Sequence, residues 1–139
     1  MKTTVTKKSE ITQDWHLLDA SDLTLGRLST QATSFLLGKG KTNYTPNMVC
    51  GDKVVVVNSD KLKLTGNKVE NKMYYRHSGH ARGLKSANVS YYLKKDSTFI
   101  LRNSISGMLP KNRLRDVFLK NLYIYKGAEH PHVAQIKAK

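Results

Sequence analysis

The sequence predicts an α/β fold, a small and mostly parallel sheet packed with helices. Residues 53–58 hold four consecutive valines, and a β-branched run without alternation suits a strand covered on both faces, as in a parallel sheet between helices. Ahead of it, Leu25, Leu28, Ala32, Phe35 and Leu36 recur at helical spacing. Ahead of that stripe, residues 15–20 (Trp-His-Leu-Leu-Asp-Ala) form a short apolar run stopped by Ser21-Asp22. Strand, helix, strand in this order is the signature of an α/β layer.

Taken in order, residues 1–13 are polar and basic without periodicity and read as an N-terminal arm. The first strand spans 15–20. Thr24 is placed to cap the helix that follows, and Gly38 to end it. A loop with Pro46 and Gly51-Asp52 leads to the valine strand. Residues 62–65 alternate, Gly66-Asn67-Lys68 turns, and residues 72–77 (Lys-Met-Tyr-Tyr-Arg-His) read as extended. Residues 78–86, with Gly79 and Gly83 and no apolar period, read as a loop. Two helices follow at 87–95 and 97–107, the second lined by Leu101, Ile105 and Met108 and ended by Gly107 and Pro110. A third is expected at 112–121 with Leu114, Val117, Phe118 and Leu122 inward, then a last strand at 122–125 and a basic tail at 126–139. One domain, 14–125, thus lies between an arm and a tail, with no internal repeat.

Charge is segregated along the chain. Residues 1–60 carry seven Lys/Arg against six Asp/Glu, whereas residues 61–139 carry seventeen against four, which places +13 of the net +14 in the second part. Charge of one sign on this scale repels itself, so it points to a polyanionic partner. Cys50 is the only cysteine, which rules out an internal disulfide and fits a reducing compartment. The first residues lack the apolar stretch of a signal peptide, and the longest aliphatic run, 54–57, is far short of a membrane span. A cytoplasmic chain without membrane contact is expected.

Three chemistries are disfavoured. Gly40-Lys41-Thr42 resembles the end of a phosphate-binding loop, but Phe35 stands where that motif needs glycine, and the segment follows a helix rather than a strand. His77 with His80, and His130 with His132, invite a metal, yet structural zinc sites draw on paired Cys or Cys/His sets, and Arg76, Arg82 and Lys85 surround the first pair. Catalysis would need convergent carboxylates or an activated nucleophile. The basic part offers only Glu70, Asp96, Asp116 and Glu129, singly spaced. No catalytic residue, metal, cofactor or small-molecule substrate is expected.

RNA binding is the chemistry the residues favour. The segment 72–85 combines Lys72, Tyr75, Arg76, His77, His80, Arg82 and Lys85 with Gly79 and Gly83. Cations neutralise phosphates, planar rings stack on bases, and glycines admit a close backbone approach. Strand alternation puts Met73 and Tyr75 on one face and Tyr74 and Arg76 on the other. Lys39 and Lys41 offer ammonium groups from a glycine-rich loop, Lys68 from the turn before the segment, and Lys111, Arg113, Arg115 and Lys120 from the helix after Pro110. His130 and His132 join them as stacking or phosphate-bonding imidazoles. A free RNA-binding regulator or chaperone and a basic RNA-processing enzyme are the rival readings.

Several short motifs recur in the order of a known family. They are Trp15 with Asp19-Ala20, Thr24-Leu25-Gly26-Arg27-Leu28, Tyr44-Thr45-Pro46, Gly51-Asp52 before the valines and Asn58, Thr65-Gly66-Asn67-Lys68, Tyr74-Tyr75-Arg76-His77-Ser78-Gly79, Gly107-Met108-Leu109-Pro110-Lys111, and Tyr125 through Glu129-His130-Pro131-His132 to Ala134-Gln135. Over nearly its full length the chain resembles a bacterial-type large-subunit ribosomal protein of the L-thirteen family. The resemblance implies a compact three-layer α/β/α domain with basic extensions, and a structural role. That role is to bind large-subunit ribosomal RNA beside neighbouring ribosomal proteins and to support early assembly, without catalysis or cofactor. One departure stands out: after Lys111 the family usually has a glycine- and proline-containing turn, where this chain has Asn112-Arg113-Leu114-Arg115-Asp116.

Overall fold

Val54, Val55 and Val56 have no exposed surface because Lys53–Val57 (β2) is the middle strand of three. The structure, a computed structural model, describes residues 6–137. In it Trp15–Asp19 (β1) and Leu122–Ile124 (β5) flank β2, and both pairings are parallel, with Trp15 opposite Lys53 and Val54 opposite Leu122. Parallel neighbours in register share a face. Leu18, Val54, Val56 and Leu122 therefore point together into the core formed with Leu25–Leu37 (α1) and Ser97–Met108 (α4). Leu28, Leu36, Ile100, Leu101 and Ile105 are fully buried there, each contributing about 1.5–3 kcal/mol of transfer free energy. Residues 15, 55 and 123 face the other way. There the ring of His132 lies 4.9 Å from Trp15 and 4.6 Å from Tyr123, and Val133–Lys137 (α6) packs near β1. The helical layer on this side is one short helix and a cluster of rings.

The C-terminus of α1 is locked to the loop before β2. Gly38 ends the helix at φ +74, a left-handed conformation that L side chains rarely adopt, and its N–H donates to the carbonyls of Ser34 and Phe35. Asp52 N–H donates to Phe35 O at 2.9 Å. Gly51 sits so near the helix that a Cβ there would fall inside the Leu36 carbonyl. Thr24 holds the N-cap position expected of it, in extended conformation, without a side-chain capping bond.

Four elements differ from expectation. The stretch expected to be a loop at 78–86 contains a strand, Leu84–Asn88 (β4), paired antiparallel to Met73–His77 (β3), so the helix expected at 87–95 starts two residues later as Val89–Lys95 (α3). Asn88 ends β4 and caps α3, its Oδ1 accepting from Tyr91 N–H at 3.0 Å. Asp96 likewise caps α4 through Thr98. The turn at 66–68 runs into a single helical turn, Lys68–Asn71 (α2). The helix expected from 112 begins later, as Arg115–Lys120 (α5), because Asn112 forms the turn instead. Its Oδ1 accepts from Leu114 N–H at 3.1 Å and its carbonyl from Arg115 N–H at 3.2 Å, the local bonding that makes Asn a turn former. Val117, expected inward, is 41% exposed. Finally, the tail at 126–137 folds back as α6.

Candidate nucleic-acid interface

The β3–β4 hairpin carries the densest group of expected RNA ligands. Tyr74 opposes Ala87 and Arg76 opposes Lys85 on one face, while Tyr75 opposes Ser86 and His77 opposes Leu84 on the other. The two tyrosines divide their roles. Tyr74 roots the hairpin, edge-on to Tyr92 and Phe99 at 5.5 and 5.6 Å, and burial followed by the neighbouring Tyr92 pushes its hydroxyl pKa up. Tyr75 is 68% exposed and Leu84 61%. At the tip, Ser78 N–H donates to Gly83 O, Gly83 N–H to His80 O, and Gly79 N–H to His77 Nδ1 at 2.9 Å. Arg82 sits at φ +61, and a Cβ on Gly83 would lie 2.8 Å from His80 O. The tip is thus a tight turn with its cations outward.

Arg76 and Lys85 are like charges in register, an arrangement that destabilises a sheet pair. Among the described residues only His16–Asp52, Lys41–Asp52 and Lys126–Asp96 approach as ion pairs. Lys72, Arg76, Arg82 and Lys85 have none. Lys72 Nζ rests over the Tyr74 ring at 5.4 Å, and Lys68 donates to Thr65 Oγ1 at 3.1 Å. Lys39 is exposed beside the end of α1.

Lys41 stands apart from Lys39. Its ammonium donates to Asp52 Oδ1 and to Thr12 O. Burial pushes the Asp52 carboxyl up, but the bonds from Lys41, from Asp14 N–H at 3.0 Å and from His16 Nε2 at 2.9 Å outweigh it and hold the group below the usual carboxylate range. Asp19 is held down too, first by the Ser21 hydroxyl and N–H and also by the Asn58 amide.

The remaining expected ligands lie elsewhere. Lys111, Arg113 and Lys120 are exposed and Arg115 half-buried, along the turn and helix after α4. His130 and His132 sit on the far face of the sheet, within the ring cluster of Trp15, Tyr123 and Tyr125, and His130 Nδ1 is buried without a hydrogen-bond partner among the described residues. Among the described residues no three His, Cys, Asp or Glu side chains converge as a metal site, and no helix is long and apolar enough to cross a membrane. Arg27 and Lys63, which no sequence motif marks as ligands, line one groove with Lys68 and Lys72. Their proximity depends on a parallel bridge between Thr24 and Lys63, thirty-nine positions apart, for which the sequence holds no signal.

Residues 13–131 match the model of a family described as ribosomal protein L13. A relative in Geobacter sulfurreducens, the large ribosomal subunit protein uL13, is 50% identical over 97% of this chain and 95% of its own length. The protein of the same name in Nitratidesulfovibrio vulgaris is 49% identical over 97% and 94%, and that in Trichlorobacter lovleyi 45% over 100% and 98%.

Proposed function

The chain belongs to the ribosomal protein L13 family, and from that premise we propose that it is a structural constituent of the large ribosomal subunit. There it binds large-subunit ribosomal RNA, supports early assembly and lies among neighbouring ribosomal proteins. The family's role is structural rather than enzymatic, which sets aside the processing enzyme. The cytoplasmic ribosome is its place of work.

One observation carries the RNA reading: an exposed two-stranded hairpin whose Arg76 and Lys85 face each other, neither in an ion pair with a described carboxylate. Isolated hairpins are marginal in water, and like charges in register weaken them further, so a phosphate backbone is the partner that relieves both. Arg76, Arg82, Lys85 and Lys72 neutralise phosphate, Tyr75 offers a free ring for stacking, and His77 and His80 present imidazoles at the tip. Lys39, Lys68, Lys111, Arg113, Arg115 and Lys120 extend the footprint. Lys41, His130 and His132 support it from within, by holding the loop at 38–41 and the C-terminal segment in place.

Sedimentation of a lysate containing the tagged protein, before and after a high-salt wash, tests the proposal. Retention in the large-subunit peak after the wash is the expected result. Absence from that peak in both runs would leave the free regulator as the better reading.

A further inference from the structure

The motif Thr24-Leu25-Gly26-Arg27-Leu28 and the segment after Leu62 meet at an open groove with a volume of about 1290 Å³. That exceeds the roughly 300–1,000 Å³ of small-molecule sites. Four cations line it, Arg27 and Lys63 besides Lys68 and Lys72, and no Asp or Glu does. None of the four is in an ion pair with a described carboxylate. Leu64 and Met108, the latter 43% exposed, give the lining apolar patches, and Thr30 and Gln31 of α1 add hydrogen-bonding groups. Of the hairpin segment only Lys72 takes part, so the groove is a separate surface that meets the hairpin at its base.

Gly26 is the unexplained residue of this groove. It lies in the first turn of α1 without a positive φ, and a Cβ there would meet nothing within 4 Å. Glycine inside a helix costs about 0.5–1 kcal/mol relative to alanine, and nothing among the described residues requires it at this position. A ligand that closes on the helix backbone would.

We propose that this groove is a second RNA surface, which seats a ribose–phosphate strand against Gly26 with Arg27, Lys63, Lys68 and Lys72 on its phosphates. The inference rests on the RNA-binding role proposed above and adds a site to it. A polymer fits the open shape, phosphates the uninterrupted positive charge, and riboses the mixed polar and apolar lining.

The test uses the full chain and deproteinised bacterial large-subunit ribosomal RNA, read by filter binding and hydroxyl-radical footprinting. Gly26→Leu fills the groove without changing charge, and Leu is the better helix former. It is expected to melt no lower than the parent, to lose about ten-fold or more in affinity, and to lose a set of protected nucleotides different from the set lost by Arg76→Ala with Arg82→Ala. A second variant, Arg27→Gln with Lys63→Gln, is expected to reduce the log–log salt slope by about 1.4–1.8. Parent-like affinity, footprint and slope in both groove variants, with the hairpin variant impaired, would overturn the groove alone. Parental binding no tighter to this RNA than to transfer RNA would overturn the RNA role itself, and the groove with it.

Discussion

Lys39 and Lys41 look equivalent in sequence, two ammonium groups on one glycine-rich loop, and the structure makes opposite predictions for them. Lys39 is exposed and, among the described residues, in no ion pair, so Lys39→Ala should leave stability within about 0.5 kcal/mol and reduce the salt slope of RNA binding by about 0.7–0.9, one phosphate contact. Lys41 holds Asp52, whose side chain is 8% exposed against 19% for its own. Removing one partner of a fully buried pair costs about 3–5 kcal/mol. Here the carboxylate keeps His16 Nε2 and Asp14 N–H and some water reaches the lysine, so Lys41→Ala should cost about 1–3 kcal/mol. At this chain length that is a fall of about 3–10 °C in Tm, with the salt slope unchanged. Thermal melting and filter binding at several salt concentrations measure both quantities. If Lys41→Ala lowered the slope as Lys39→Ala does and left Tm alone, Lys41 would be a phosphate ligand and the pairing with Asp52 incidental.

Gly51→Ala should destabilise by about 3 kcal/mol or more, since the added Cβ collides with the Leu36 backbone carbonyl rather than a side chain that could swing away; chemical denaturation measures it, and a loss below about 1 kcal/mol would contradict the packing described. The Asp19 and Asp52 carboxyls are held below their ordinary value, so the stability they supply is complete above about pH 4 and lost as pH falls through their folded values. Tm measured against pH should drop on acidification below that point, and Asp52→Asn should melt lower at pH 7 but show the shallower drop. Arg76→Ala with His77→Ala should impair binding to large-subunit RNA more than to transfer RNA, whereas Lys120→Ala, on the α5 flank, should weaken both about equally; competition binding with the two RNAs separates these outcomes.

What the sequence conveyed follows from which signals are local. The valine run could only be a strand covered on both faces, and β2 is one; the α1 stripe and its Gly38 terminus are likewise readable because periodicity and capping are properties of neighbouring residues. β4 was not readable. Leu84-Lys85-Ser86-Ala87-Asn88 has no β-branched residue, and it becomes a strand through pairing with β3 and the turn geometry at Gly79 and Arg82. α6 is five residues long and held by its seat beside β1, which no helical period announces. For the interface, the alternation of Tyr74 and Tyr75 came through, because a two-residue period is local. The fate of Lys41 did not, since its partner is eleven positions away across a loop, and neither did the meeting of Arg27 with Lys63.

The way the carboxylates are placed explains how so basic a chain folds and still keeps its charge available. Asp19 accepts from Ser21 and Asn58, Asp60 from Ser97, and Asp96 caps α4, while Asp52 takes Asp14 N–H, His16 and Lys41. These acids satisfy donors that the fold must satisfy, and none of the four lies on the β3–β4 hairpin. Between Glu70 and Asp96 there is no acid at all. The folded state therefore carries repulsion concentrated on the hairpin and its base, where internal packing is thinnest. A partner that binds only the folded chain at a hundred times its Kd adds about 2.7 kcal/mol to stability. Phosphates would deliver that gain where Arg76 and Lys85 face each other. On this argument the element with the thinnest packing is the one that the proposed RNA partner would stabilise most, and recognition would be coupled to ordering of the hairpin.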